Sequence, residues 1–208
     1  MDRLTRSDAL RASPPLFASR LDRFTRSRPL VPLLIFAPVI LVLSALGVAI
    51  LAPWEAGLFF VGGYAFWTFT EYWIHRSVFH LEPKSRLGAR LHWIFHGVHH
   101  DHPNDPLRLV MPPIVTVPLA AGFFALFVSA LGTGAGISTA AGFFFGYLLY
   151  DMLHYTLHHK RPRGRLGRRL HELHMRHHFE DDERCFGVSA PWWDTIFHTA
   201  TLGKRSPK

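Results

Sequence analysis

The chain has 208 residues, a formal net charge of +8 and a single cysteine, Cys185. This length suits one domain, and one cysteine excludes a disulfide framework within the chain. Hydrophobic residues make up 49% of the sequence and stand in long uninterrupted runs, which is not typical of a soluble domain of this size.

Four hydrophobic segments are long enough to cross a bilayer, which takes about 20 apolar residues. In chain order they cover roughly residues 30–52, 56–74, 109–131 and 136–157. The short connections Pro53–Glu55 and Gly132–Gly136 predict two helical hairpins. We therefore predict an all-α integral membrane protein with four transmembrane helices. Residues 1–29 would form a basic tail, and residues 30–208 the membrane domain.

The positions of Lys and Arg predict the orientation, because basic loops stay on the cytoplasmic side. All 23 basic residues lie before the first predicted span, between the second and third, or after the fourth, and neither hairpin turn carries one. Both termini are therefore expected in the cytoplasm. Topology and attraction to anionic lipid headgroups account for the positive charge, so we expect no nucleic-acid partner.

The 15 histidines are concentrated in two stretches, 75–102 and 154–178, with His198 apart from them. Neutral imidazole is a common ligand of transition metals, and histidines three or four residues apart on a helix can bind the same ion. His75 and His80 are five residues apart, so that pair is expected to straddle a helix end. The ten candidate ligands are His75, His80, His96, His99, His100, His154, His158, His174, His177 and His178.

Ten imidazoles are too many for one ion and suit two, so we predict a dinuclear site in a histidine-rich helical cap on the cytoplasmic face. Thiolates are absent and carboxylates are few, which disfavours calcium, magnesium and iron–sulfur clusters and leaves iron, zinc, copper or manganese. Glu71 and Asp151 are placed to orient ligand imidazoles. The remaining histidines that we expect to be interfacial bystanders are His92, His102, His171 and His198.

The histidine motifs, taken with their flanking residues, resemble those of the membrane fatty acid hydroxylase superfamily, and the branch of fatty acid 2-hydroxylases in particular. The resemblance covers about residues 56–199 and includes Pro112-Pro113 and Trp193-Asp194. The motifs are Glu71-Tyr-Trp-Ile-His75-Arg-Ser-Val-Phe-His80, His96-Gly-Val-His99-His100, Asp151-Met-Leu-His154-Tyr-Thr-Leu-His158-His159 and His174-Met-Arg-His177-His178.

This resemblance implies an O2-dependent hydroxylase in which two iron ions bind the ten candidate histidines and one oxygen atom enters a lipid acyl chain, at C2 in this branch. Purified protein could hold zinc instead. His159 matches a motif position, and we expect it to support the ligands from outside the metal shell. The acyl substrate would arrive from the bilayer.

Members of this branch often carry a cytochrome b5 domain, and residues 1–28 are too short to be one. We therefore expect a separate electron donor, a ferredoxin or a cytochrome b5-like protein, at the basic surface of Lys160–Arg169. The sequence leaves alternatives open: a sterol or carotenoid oxidase of the same superfamily, a zinc-dependent membrane hydrolase, or a metal transporter. The hydrolase would need a metal-bound water with a general base such as Glu71, Asp151 or Glu172. A transporter would need ionisable ligands near the bilayer midplane, where the four spans have none.

Overall fold

A computed structural model describes residues 13–17, 20–81 and 83–201. The described residues form helices and contain no strand, in agreement with the predicted all-α class. Residues 1–12 of the predicted basic tail and residues 202–208 lie outside the described part of the chain.

Four long helices form the body of the molecule. They are α1 (Leu30–Ile50), α2 (Pro53–Ile74), α5 (Pro113–Leu131) and α6 (Thr133–His159). Two differences from the predicted spans have local causes. The third helix begins at Pro113 rather than at residue 109, because proline suits the first helical position and the residue before it is pushed to extended backbone. The predicted connection Gly132–Gly136 is reduced to Gly132, because its φ of 79°, which glycine adopts readily, turns the chain within one residue.

Shorter helices surround one end of the long ones. A 3-10 helix, Arg20–Thr25, precedes α1. Between α2 and α5 lie α3 (Arg86–His92) and α4 (Val98–Asp101), and after α6 come α7 (Gly164–Phe179) and α8 (Trp192–Ile196). The candidate ligands that do not lie on α6 or α7 all lie between the end of α2 and the start of α5.

Helix α6 is the centre of the bundle and packs against α1, α2 and α5. Its inward side chains, Ile137 to Leu148, form one hydrophobic cluster with Phe36, Trp67 and Phe127 of the three neighbours. The backbones of α6 and α2 approach closely at Gly142, where a Cβ would collide with the carbonyl oxygen of Phe60. The absence of a side chain at Gly142 allows this approach. Helix α1 packs mainly on α6 and less on α2.

Two of the described helices, α1 and α5, are long and apolar enough to cross a membrane. Both expose large hydrophobic side chains along their length; Leu34 is 71% exposed and Leu119 is 52% exposed. Helices α2 and α6 have sufficient length, 22 and 27 residues, but contain more glycine and polar residues.

The segment before α1 is held to the loop before α5 by a buried polar network, which we call the N-terminal clasp: Ser13, Asp22, Arg26, Asp105 and Arg108. Arg108 donates to Ser13 Oγ at 2.9 Å and to Asp22 Oδ1 at 3.2 Å. Asp105 accepts from Ser13 Oγ at 2.6 Å and from Arg26 at 3.3 Å. The Arg108 side chain is only 2% exposed, so its charge depends on these partners.

Candidate metal centre

The side chains of His75 and His80 lie next to each other because the α-helical backbone changes to a π-helical turn at His75. Helix α2 does not stop at Ile74 but continues as a π-helical turn, His75–Phe79, which the His80 N–H closes on the His75 carbonyl oxygen at 3.2 Å. The helix ends at Phe79, so the pair straddles a helix end as predicted, with His80 as the first residue beyond it. Because a π-turn repeats after about five residues, it also places the two rings together. Their centroids lie 5.0 Å apart.

The next three candidate ligands lie in or just after a second π-helical turn, Trp93–Gly97, which joins α3 to α4. His96 lies in this turn, and His99 and His100 lie on α4. Because His99 and His100 are adjacent on a helix, their side chains diverge by about 100°. They therefore point to different places.

The other five candidate ligands come from α6 and α7. His154 and His158 lie one turn apart on α6, and His174, His177 and His178 lie on α7. The His158 and His174 Nε2 atoms are 2.8 Å apart across the two helices. As with His99 and His100, the adjacent pair His177 and His178 diverges.

The structure gathers the ten candidate ligands into two groups of five, and the nitrogens of each group lie within 4.8 Å of one another. The two groups are adjacent. The consecutive residues His99 and His100 belong to different groups, and so do His177 and His178. The rings of His100 and His178 also stack, with centroids 4.2 Å apart. The first group is His75, His80, His96, His100 and His177, and the second is His99, His154, His158, His174 and His178. Neither group contains a carboxylate or a thiol.

The spacing of the nitrogens fits a metal ion. The His96 Nε2 lies 3.2 Å from His75 Nε2 and 3.0 Å from His100 Nε2. Ligand nitrogens about 2.0–2.1 Å from one ion stand about 3 Å apart. Without a cation such lone pairs repel one another, so the arrangement is suited to binding one.

Backbone carbonyls fix which ring nitrogens face inward. The Nδ1 atoms of His75 and His177 lie 2.6 Å and 2.7 Å from the carbonyl oxygens of Phe186 and Arg184. A carbonyl oxygen only accepts, so each Nδ1 donates, and in a neutral ring Nε2 keeps its lone pair. Buried Nε2 atoms without a protein partner occur in both groups, at His80, His154 and His177.

The imidazoles are held neutral at physiological pH. Burial, followed by the neighbouring rings of His177 and His92, lowers the pKa of His80 to about 3. Burial and the rings of His177 and His80 lower the pKa of His100 to about 2. Neutral imidazoles offer lone pairs without competition from protons, as metal binding requires.

The segment from Arg184 to Thr199, which includes α8, supports this arrangement, and Asp194 on α8 organises it. The buried Asp194 carboxylate accepts from the N–H groups of Phe186 and Gly187 at 2.8 Å and 2.9 Å, and from the Thr199 hydroxyl at 2.8 Å. These bonds present the Phe186 carbonyl to His75. The spacing of histidines could not identify Asp194; its only signal was the Trp193-Asp194 pair in the family resemblance.

The three residues expected to support the ligands have other partners. Glu71 accepts hydrogen bonds from the N–H and hydroxyl of Ser189, so it acts on the supporting segment. Asp151 accepts from Tyr147 at 3.1 Å and from the Met111 N–H at 3.4 Å. His159 is exposed, with its ring 4.6 Å from that of Tyr155. Within the described residues, none of the three is hydrogen-bonded to a ligand imidazole.

The four expected bystanders, His92, His102, His171 and His198, belong to neither group of five.

Two cavities lie between the histidines and the bundle interior. The first, of about 110 Å³, is lined by His96, His99 and His154 together with Val110 and Ile114. The second, of about 80 Å³, extends between α1, α2, α5 and α6 and is lined mostly by hydrophobic side chains. Both are lined by the side chains of Phe79, Met111 and Tyr150.

Curated relatives share this region of the sequence. The chain is 38% identical over 148 residues to the dihydroceramide fatty acyl 2-hydroxylase FAH1 of Arabidopsis thaliana, covering 71% of this chain and 62% of the relative. It is 43% identical over 154 residues to the fatty acid 2-hydroxylase of Mus musculus, covering 72% of this chain and 41% of the relative. The chain thus spans about three fifths or less of the length of these relatives.

A ceramide very long chain fatty acid hydroxylase of Saccharomyces cerevisiae, SCS7, is 34% identical, with 95% of this chain and 52% of the relative covered. A solved structure of full-length scs7p, in which only the hydroxylase domain is visible, matches with a TM-score of 0.87 and 34% identity. That match covers 94% of this chain and 75% of the other. The family model for fatty acid hydroxylases matches residues 59–199. The chain belongs to the fatty acid hydroxylase family.

Proposed function

We propose that this protein is a membrane oxygenase that hydroxylates a lipid acyl chain at C2, using O2 and electrons supplied by another protein. The observation that carries the proposal is the pair of five-imidazole groups beside a largely hydrophobic cavity, which His96, His99 and His154 help to line. The position C2 is supported by the names of the plant and mouse relatives, which are 2-hydroxylases. These names also favour an acyl substrate over a sterol or a carotenoid.

Each group of five imidazoles would hold one iron ion. Sets of neutral nitrogen ligands without carboxylates favour transition metals over calcium or magnesium. Iron would supply the redox chemistry that activates O2 for insertion of an oxygen atom into a C–H bond. Zinc also binds imidazole well, so purified protein can hold zinc in the same places.

The chain itself positions the ligands and keeps the site dry. Carbonyl acceptors at Phe186 and Arg184 hold two rings in the tautomer that turns Nε2 inward. The Phe79 ring stacks on His96 with centroids 4.8 Å apart, and the buried Phe186 ring lies 5.4 Å from His80. These aromatic side chains exclude water from one side of the first group, which protects a reactive centre from side reactions.

All four long helices would cross the membrane, with both termini on the cytoplasmic side. The proposal is supported by the location of all ten imidazoles at one end of the bundle, and by the hairpin turns, which carry no basic residue. In this arrangement residues 30–208 form the membrane domain, residues 1–29 form the tail, and the histidine-rich cap lies in the cytoplasm.

An acidic ferredoxin or cytochrome b5-like protein would deliver electrons to the exposed basic surface of Lys160–Arg169. Arg165, Arg168 and Arg169 are exposed on α7, the helix that also carries His174, His177 and His178. Five residues, or about 7.5 Å of helix rise, separate Arg169 from His174. Helix α7 would therefore place a docked donor close to the metal centre.

The proposed function is tested by growing cells with and without the protein under 18O2 and profiling their lipids by mass spectrometry. Cells that express the His177→Ala variant provide the matched control. We expect a new acyl species, heavier by one 18O atom, whose fragments place the label at C2. Label on a sterol or carotenoid would assign the other oxidase activity. No incorporation, with iron bound and reductant supplied, would reject the oxygenase and favour hydrolysis or metal handling.

A further inference from the structure

The two cavities described above lie end to end between the histidines and the middle of the bundle. Phe79, Met111 and Tyr150 line both and so mark the place where they meet. The first cavity also contacts imidazoles of both metal groups, at His96 and His99. A ligand that occupied both cavities would pass directly beside the metal centre.

The helices give the direction of this space. Along α6, the lining residues His154, Tyr150, Tyr147 and Phe143 follow one another away from the metal centre. Eleven residues separate the first from the last, which corresponds to about 16 Å of helix rise. Helix α5 contributes lining residues over the same depth, from Ile114 to Phe123. The space is therefore long and narrow, and it leads towards the membrane interior.

The far end of the space is lined by aromatic rings. The centroids of Phe123 and Phe143 lie 4.5 Å apart, and that of Phe127 lies 5.3 Å from Phe143. All three belong to the hydrophobic cluster or pack against it. At the other end, Phe95 and Ile114 line the first cavity and are 51% and 61% exposed. The mouth therefore lies at the surface where α5 begins.

The two carboxylates along the space are already engaged. Glu71 accepts from Ser189, and Asp151 accepts from Tyr147 and Met111. Phe36, Phe143 and Phe144 in the deep cavity are no more than 4% exposed. A hydrocarbon chain can therefore lie there without removing a partner from either carboxylate.

We propose that the two cavities form one acyl channel, which the chain enters tail first between Phe95 and Ile114, and whose inner end at Ala120, Phe123 and Phe143 selects acyl length. This inference rests on the proposed function and deepens it. A carbon near the head of the lipid would lie beside the imidazoles, while the tail fills the deep cavity.

Neighbouring positions on α5 allow a matched test. Ala120 lines the deep cavity, whereas Ala121 is exposed on the outside of the same helix. Ala120→Phe should shorten the channel, and Phe123→Ala should lengthen it. The protein would be given equal amounts of short and long acyl substrates, and the ratio of hydroxylated products measured. A change of this size in a hydrophobic pocket alters selectivity by about tenfold or more.

We expect Ala120→Phe to lower the ratio of long-chain to short-chain product at least tenfold, and Phe123→Ala to raise it. Ala121→Phe should keep the wild-type ratio. Bound metal should be the same in all four proteins, because no ligand is touched. If Ala120→Phe and Ala121→Phe gave the same ratio, the acyl channel would be rejected while the hydroxylase activity stood.

A second measurement does not depend on turnover. A fatty acid carrying a diazirine at its terminal carbon is photo-crosslinked to the wild-type protein, and the labelled residues are mapped by mass spectrometry. Labels near Ala120, Phe123 or Phe143 would support the channel even if no hydroxylated product appeared. Labels confined to lipid-facing residues such as Leu126 and Leu149 would overturn it.

Discussion

The rings of His75 and His177 are oriented by backbone carbonyl oxygens. A side-chain carboxylate, that of Asp194, acts only indirectly, by holding the backbone that carries one of these carbonyls. Asp194 fixes the N–H groups of Phe186 and Gly187, and the Phe186 carbonyl then binds His75. This layering makes the ring positions depend on a segment that follows α7. A segment with so many internal bonds can hold two ligands in place before any metal arrives.

His177 should be essential for metal binding, whereas His171, on the same helix, should not. His177 is 1% exposed and belongs to the first group, while His171 belongs to neither. Loss of a residue that merely supports a ligand costs about 10–100-fold in affinity or activity, so His177→Ala should cost more. Metal per chain is measured by mass spectrometry of the purified protein, and lipid hydroxylation is assayed beside it.

His171→Ala serves as the control for helix α7 and should keep wild-type metal content and turnover. Full metal content in His177→Ala would remove that residue from the site. Loss of metal in both variants would show a general sensitivity of α7 and no ligand role.

The spacing of histidines identified the residues that the structure brings together, because separations of three and four residues follow directly from helix geometry. It could not show that the adjacent pairs His99–His100 and His177–His178 are each divided between the groups. That division depends on how α4 and α7 are placed by the rest of the chain. The contacts of Glu71 with Ser189 and of Asp151 with Met111 were equally out of reach, since these partners are distant in sequence.

At the level of helices, the sequence pattern alone did not predict the π-turns or the close packing around α6. Helix α2 continues as a π-turn through His75–Phe79, so the predicted helix end lies immediately before His80. The hydrophobic runs predicted the existence of all four long helices, because apolar length is visible in sequence. They did not predict that α6 would be the centre, which follows from small residues that let neighbouring backbones approach.

The α2–α6 contact gives a direct test of this packing. A Cβ at Gly142 would collide with the Phe60 carbonyl, whereas a Cβ at Gly62 would meet nothing within 4 Å. Gly142→Ala should therefore destabilise the bundle by about 1–3 kcal/mol. Gly62→Ala should leave stability unchanged or raise it by up to about 1 kcal/mol, because alanine favours helix. Thermal unfolding in detergent measures both, and equal effects of the two substitutions would contradict the close approach.

The N-terminal clasp should weaken in acid. Burial would raise the pKa of Asp22, but hydrogen bonds from Arg26, Leu16 and Arg108 outweigh it and lower the pKa to about 2. Because the folded pKa lies below the usual value of 3.8, the contribution to stability is complete above about pH 4 and is lost as pH falls towards 2. Asp22→Asn should therefore be less stable than wild type at pH 7.

The measurement is the difference in unfolding temperature between wild type and Asp22→Asn across this range of pH. The difference should shrink between about pH 4 and pH 2.5. A substitution at an exposed carboxylate, Glu183→Gln, controls for general effects of acid and should match wild type throughout. A difference that stayed constant with pH would mean that Asp22 is not stabilised as a charged group by the clasp.

The whole molecule combines an apolar bundle with a basic cap. In the proposed reaction, the lipid substrate and the electrons would therefore reach the metal centre from different sides. The acyl chain would come through the bilayer to a mouth at the start of α5, and electrons would come from the aqueous side to α7. Because Arg165, Arg168 and Arg169 are exposed, their attraction to an acidic donor acts through solvent and should be screened by salt.

Turnover with an acidic protein donor should therefore fall steeply as ionic strength rises, since the screening length shrinks from about 10 Å at 0.1 M salt to about 3 Å at 1 M. The double variant Arg165→Glu, Arg168→Glu should lower kcat/KM for the donor at least about tenfold at low salt. With a small uncharged chemical reductant, wild type and variant should have equal rates at every salt concentration, because docking is bypassed. A donor-dependent rate indifferent to both salt and charge reversal would move the docking surface away from α7.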